Sequence, residues 1–211
     1  LRDVDVAGFD FSGFTNLKSL NLEEARGLTA EQFNKIPVTA KASIESLDLS
    51  YVNVTGFDFS GFTGLKILNL DNVKGLTAMQ FNTISPEAKA SIESLDLIGI
   101  DVRGFNFSGF TNFETLNLGV SIGLSATQFN AISGESKASI KTLQLAYINV
   151  SDFDFSGFTG LKDLGLNKVK ALTAAQLSRI PNKASIEKIS LSEINVDGFD
   201  FSEFTGKIVR F

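Results

Sequence analysis

The chain has 211 residues, a net charge of −5 and no cysteine, histidine or tryptophan. Without cysteine there is no disulfide, thiolate metal site or thiol nucleophile; without histidine the easiest general base is gone; and the acidic balance disfavours nucleic acid and anionic membranes as partners. Hydrophobic content of 43% is that of a folded protein, and no apolar run approaches the ~20 residues of a helical membrane span.

The first element in chain order is the octapeptide Gly8-Phe9-Asp10-Phe11-Ser12-Gly13-Phe14-Thr15. It returns 48 residues later at 56–63, again at 104–111 with Asn106 for the aspartate, at 152–159, and a last time, two residues early, at 198–205. A fixed period of this size means a stacked array, in which each unit buries its apolar face against its neighbours. Each unit has two halves, 21 and 27 residues long. The shorter reads Ile44-x-x-Leu47-x-Leu49-x-x-Val52-x-Val54, then Phe57-x-Phe59-x-x-Phe62. The longer reads Leu65-x-x-Leu68-x-Leu70-x-x-Val73-x-x-Leu76, then Phe81 and Ile84. In a short strand, alternating leucines such as Leu47 and Leu49 point inward while the residues between them point out. Parallel strands need crossovers, and each half supplies one.

The longer crossover predicts a helix. Thr29-x-x-Gln32 and its copies from Thr77, Ser125 and Thr173 are capping boxes, and Leu28 with Phe33 sits at staple spacing. Phe33 and Ile36 share a helix face. Pro37, Pro86, Gly134 and Pro181 are expected to stop the helix after about two turns, with Lys41-Ala42-Ser43 and its copies leading back to the next strand. The shorter crossover has no room for a helix and reads as a 3₁₀-like or irregular turn. Its motif holds fifteen of the twenty phenylalanines. Their identity in every copy predicts a buried aromatic spine, in preference to an aromatic stripe facing a ligand or membrane.

Both halves open with Leu-x-x-Leu-x-Leu, and on that pattern the chain resembles the leucine-rich repeat family over essentially its whole length. The resemblance implies one α/β solenoid over residues 1–211. It would be an arc with a parallel β-sheet on the concave face and, on the convex face, short helices alternating with 3₁₀ or irregular turns. The longer halves are similar to the cysteine-containing, adaptor-type subfamily, with Ala25, Val73, Ser121 and Val169 at the cysteine position. In the shorter halves Val52, Ile100, Ile148 and Ile194 stand where the family usually has asparagine. The family's asparagine ladder is therefore missing, or displaced to Asn53, Asp101, Asn149 and Asn195. The chain opens without methionine or signal-peptide pattern, as a processed form or excised fragment does. Register puts Leu1 on the second leucine of an incomplete half-repeat, and residues 207–211 start a strand. Neither end carries a polar cap, so an end covered by further sequence or by a neighbour is expected, including end-to-end self-association.

The copies act as a control on one another. Identical positions serve the stack; variable ones are free for a partner. The variable outward strand positions begin acidic (Asp3, Asp5, Glu23, Glu24, Asp48, Asp71). They turn apolar or small (Ile98, Gly99, Gly119, Val120, Ala146, Tyr147), and then lysines collect (Lys162, Lys168, Lys170, Lys188). The pattern points to a protein partner on the concave face, with Tyr51, Asp71, Ile98, Val120, Tyr147 and Lys168 as candidate contacts. Drift on an unselected surface is the alternative. No nucleic acid, membrane, metal or cofactor is assigned. Asp48 and Asp96 stand two strands apart, roughly 9.5 Å by strand spacing, at the edge of the inverting-glycosidase window. An open strip offers no cleft to raise one carboxyl pKa, so no catalytic residue is assigned. Asp48, Asn69, Asp71 and Asp96 lack a compact calcium cage. Glycosylation sequons at Asn53, Asn106 and Asn149 read as incidental, since Asn106 lies inside the phenylalanine motif. The reading is a non-enzymatic binding scaffold, cytosolic or on a bacterial surface. A structural or surface-adhesive spacer and a designed consensus array are the alternatives.

Overall fold

The computed structural model describes residues 1–209; Arg210 and Phe211, and with them the end of the segment expected to start a strand, lie outside the described residues. The short leucine-bearing segments form nine strands: β1 (Ser19–Asn21), β2 (Ser46–Asp48), β3 (Ile67–Asn69), β4 (Ser94–Asp96), β5 (Thr115–Asn117), β6 (Thr142–Gln144), β7 (Asp163–Gly165), β8 (Lys188–Ser190) and β9 (Lys207–Val209). They lie side by side in chain order in one open parallel sheet. Leu20, Leu47, Leu68, Leu95, Leu116, Leu143, Leu164 and Ile189 fall in register across it, and all are buried. Partner residues are 27 and 21 apart by turns, until the last two steps shorten to 25 and 19. This is an α/β solenoid of the leucine-rich-repeat type.

The longer crossovers hold two helices, not one. The first of each pair has five residues: α1 (Ala30–Asn34), α3 (Ala78–Asn82), α5 (Ala126–Asn130) and α7 (Ala174–Ser178). All four open on a complete capping box. The residues expected to stop the helix begin a second one: α2 (Val38–Ser43), α4 (Pro86–Ser91) and α6 (Gly134–Ser139). The reason is positional. Proline breaks a helix interior, but its fixed φ suits a first turn, where its missing N–H leaves no bond unmade. Ser85 and Ser133 cap α4 and α6 through their side chains. In the last and shortest of these crossovers Asn182 takes a left-handed φ of 51° and only a 3₁₀ turn, Lys183–Ser185, follows. The shorter crossovers are turns without helix among the described residues.

The phenylalanines of the interior units are core, whereas in the terminal units Phe9 is exposed and Phe14, Phe199 and Phe201 are half-buried. Phe33 stacks on Phe57, Phe81 on Phe105 and Phe129 on Phe153, each at 4.2 Å between ring centroids. Each stack joins a longer-half helix to the motif of the next shorter half, so the spine is a series of clusters, one per unit. A buried phenylalanine contributes about 1.5–3 kcal/mol relative to an exposed one.

Two amides lock these clusters. While Gln32 completes its capping box, its Nε2 donates back to the carbonyls of Val6 (2.8 Å) and Phe9 (3.0 Å). Gln80, Gln128 and Gln176 repeat this on Val54 and Phe57, Val102 and Phe105, Val150 and Phe153. Asn34 reaches forward, donating to the Gly56 carbonyl and accepting from the Asp58 N–H; Asn82 and Asn130 do the same one and two units on. These glutamines and asparagines satisfy backbone groups of the loops on either side of their helices. Asn53, Asp101, Asn149 and Asn195, the expected ladder, instead accept from the N–H two residues along and close local turns.

Candidate functional site

Strands β1 to β5 are each followed by a turn that the strand's own polar residue builds. Asn21, Asp48, Asn69, Asp96 and Asn117 accept the backbone N–H two residues on, at Glu23, Ser50, Asp71, Ile98 and Gly119. The row is also stitched between copies: Asn69 Nδ2 donates to Asp48 at 3.3 Å and Asn117 Nδ2 to Asp96 at 3.1 Å. These polar groups partner one another without any ligand.

The next residue is left-handed in every copy. Its φ is 55° at Glu24, 64° at Tyr51, 51° at Asn72, 70° at Gly99, 59° at Val120, 65° at Tyr147, 54° at Lys168 and 56° at Glu193. Its N–H still joins the ladder: Tyr51 N–H donates to Asp71, Val120 N–H to Ala146, Tyr147 N–H to Asn167 and Lys168 N–H to Ser192. These side chains therefore form a ridge at the strand ends, one per strand. Sequence reading placed them as outward strand residues. The left-handed region favours glycine and asparagine, and only Asn72 and Gly99 carried that signal.

Of the six candidate contacts, Tyr51, Val120, Tyr147 and Lys168 stand on the ridge, while Asp71 and Ile98 sit one residue earlier and are half-buried. Ile98, Val120 and Tyr147 follow the consecutive strands β4, β5 and β6. Val120 and Tyr147 are 50% and 53% exposed, while beside them Gly99 is half-buried and Gly119 buried. Tyr51 lies three strands from Val120, about 14 Å by strand spacing, and its backbone N–H donates to the Asp71 carbonyl at 2.9 Å. Lys168 Nζ sits 5.1 Å from the Tyr147 ring centroid and 2.7 Å from Glu193.

Charge along this surface is less graded than the sequence suggests. Lys162, Lys168 and Lys188 pair with Glu187, Glu193 and Asp163, which largely neutralises the basic end. Glu23 pairs with Arg2. Asp48, Asp71 and Asp96 have no cationic partner among the described residues. Burial raises the pKa of Asp71 and Asp96 above the ordinary range; the Asp48 charge adds to it at Asp71, and the Asp71 and Asp48 charges at Asp96. Among the described residues no group of three acidic, histidine or cysteine side chains is placed to hold a metal ion, and no helix is long and apolar enough to cross a membrane.

No protein-family model and no curated protein matches the chain. Among solved structures it is similar to the functional domain of InlJ from Listeria monocytogenes, which includes a cysteine ladder. The TM-score is 0.54 at 14% identity, over 97% of this chain and 46% of that one. At that identity the likeness is one of fold, and this chain spans less than half the length of its neighbour. The cysteine ladder has no counterpart here, since the chain contains no cysteine.

Proposed function

We propose that residues 1–211 form one solenoid that acts as a non-enzymatic scaffold and binds a protein partner through the ridge and the adjoining concave strip. Ile98, Val120 and Tyr147 form the centre of the contact, with Tyr51, Asp71 and Lys168 on its flanks. One observation carries the reading: Val120, β-branched and half exposed, holds a φ of 59°. A left-handed residue other than glycine costs about 1–2 kcal/mol, and a β-branched one is an outlier there. The preceding strand fills the same place with Gly99. Residues kept under strain gather where function holds them, and Tyr51 and Tyr147 repeat the arrangement. A spacer array has no use for this cost. The unpaired carboxylates of Asp48, Asp71 and Asp96 favour a basic partner, steering association in a salt-dependent way. Buried Ala25, Val73, Ser121 and Val169 support the adaptor-type likeness of the longer halves.

The test is affinity capture with wild type and an Ile98→Asp/Tyr147→Ala variant of matched melting temperature. Tyr147→Ala alone is expected to weaken binding by about 1–3 kcal/mol, since aromatic anchors dominate interface energetics. Partners retained equally by both proteins would refute the site.

A further inference from the structure

Four units open the repeated Lys-Ala-Ser with a lysine: Lys41, Lys89, Lys137 and Lys183. The first three are more than nine-tenths buried, at 5%, 8% and 8% exposure. Each lays its stem across the second glycine of the next phenylalanine motif. A Cβ on Gly61 would meet Lys41 Cδ at 3.3 Å, one on Gly109 would meet Lys89 Cδ at 3.8 Å, and one on Gly157 would meet Lys137 Cδ at 2.9 Å. Lys41 Nζ lies 5.4 Å from the Phe62 ring centroid and Lys89 Nζ 5.8 Å from that of Phe110. One arrangement is thus copied along the convex side.

Its counter-charge is not copied. Lys41 Nζ donates to the Asp58 carbonyl at 3.2 Å and faces the Asp58 carboxylate at 3.7 Å. Lys137 Nζ donates to the Asn130 carbonyl. Asp154, held below the ordinary range first by the Ser156 N–H, is lowered further by the Lys137 charge. Lys183 bonds Glu203 at 3.1 Å, and Glu203 replaces the motif's second glycine in that unit. In the third unit the aspartate is Asn106. The Lys89 ammonium has neither a hydrogen bond nor an ion pair among the described residues, and burial lowers its pKa. Asn106 spends its Oδ1 on the Ser108 N–H, which leaves its Nδ2 as a second donor. Among the described residues the one fully buried side-chain polar atom without a partner is Ser121 Oγ, so the Lys89 ammonium keeps access to solvent.

We propose that Lys89 and Asn106 form a carboxylate-binding site on the convex side of the third unit. The Asn106 amide keeps the contacts that Asp58 makes in its own unit, and the ligand carboxylate lies beside it, accepting from Lys89 Nζ and Asn106 Nδ2. Elsewhere the array supplies the carboxylate itself, from the motif's aspartate at Asp58 and Asp154 and from Glu203, at the second-glycine position, beside Lys183. A free carboxylate or the acidic side chain of a peptide matches it in charge and size. The site is separate from the ridge and stands whether or not the ridge binds a partner.

The test follows the lysine Cε–Hε resonances of the full chain by NMR during titration with sodium acetate, against sodium chloride at equal ionic strength. Acetate is expected to shift Lys89 saturably and to raise its apparent pKa, while Lys41 stays still. Asn106→Asp supplies the carboxylate internally, as Asp58 and Asp154 do in neighbouring units, so the variant keeps the fold. It should raise the Lys89 pKa by itself and weaken the acetate response at least tenfold. A blocked Gly-Asp-Gly peptide compared with Gly-Asn-Gly separates the sources: a shift with the aspartate peptide identifies a side-chain ligand, and a shift with acetate alone a small free carboxylate. An acetate response at Lys89 no larger than at Lys41 overturns the proposal. So does an undiminished response in Asn106→Asp, or a response to inorganic phosphate without one to acetate.

Discussion

The convex side and the ridge at the strand ends follow opposite rules. On the convex side the residues repeat because each is used. The helix phenylalanine stacks on the next motif, the glutamine bonds back and the asparagine bonds forward. On the ridge the backbone repeats and the side chain does not: eight left-handed positions carry Glu24, Tyr51, Asn72, Gly99, Val120, Tyr147, Lys168 and Glu193. A stacked array can fix a conformation without fixing the residue that adopts it, and such a position can be given over to a partner at a cost in strain. The C-terminal unit shows the converse. There Leu177 replaces the helix phenylalanine and Ser178 the asparagine. Phe199 and Phe201 are only half-buried, whereas Phe57 and Phe59 are each 2% exposed.

The largest expected effect breaks the convex side. Phe129→Ala should cost about 3–5 kcal/mol in denaturant unfolding followed by circular dichroism, as for other buried phenylalanines. Phe201→Ala, in the loosened unit, should cost less than half of that. Because each unit contacts only its neighbours, the Phe129 variant should also broaden the transition. Equal losses at the two positions would show that the helix stack is not what tightens the interior units.

A smaller effect of opposite sign comes from Ser121. Its hydroxyl is buried without a partner, at the position where Val73 and Val169 stand in other units. Leaving a buried polar group unsatisfied costs about 1–3 kcal/mol, so Ser121→Val should raise stability by about 1 kcal/mol or more. A loss of stability would mean that the hydroxyl is satisfied in solution.

Much of this division was legible in the sequence. The strands, the capping boxes and the buried phenylalanines announce themselves because every copy needs the same residue for the same contact. The second helix was hidden because Pro37 and Pro86 read equally well as a stop or a first turn. The backward bonds of the glutamines were hidden because their acceptors, the Val6 and Phe9 carbonyls among them, are backbone atoms of another half-repeat. The ridge was hidden for a different reason. Left-handed geometry is normally read from glycine or asparagine, and here six of eight copies hold another residue. Ile98, Val120 and Tyr147 could be grouped from their spacing alone, but the strain that singles out Val120 is a property of the folded backbone.

Beside the ridge, Asp96 should show a pH dependence. Burial raises its pKa in the fold, so the folded state holds that proton more tightly than the unfolded chain. The stability this contributes is fully present below the unfolded pKa and is lost as pH rises through the folded value. Asp96→Asn, matching Asn69 and Asn117 in adjacent strands, should abolish that decline. Melting at pH 3 and pH 7 should therefore favour the variant more at the higher pH. An equal difference at both would show that Asp96 titrates as it does in the unfolded chain.

The most direct test of the ridge is Val120→Gly, read for stability and for binding on the same preparation. Glycine relieves a left-handed strain of about 1–2 kcal/mol, and returns about 0.4–1 kcal/mol through the greater freedom of the unfolded chain. Stability should therefore hold or rise by up to about 1.6 kcal/mol, while affinity for the partner falls. A variant that loses stability, or one that binds as the wild type does, would contradict the claim that this valine is kept for a partner at the expense of the fold.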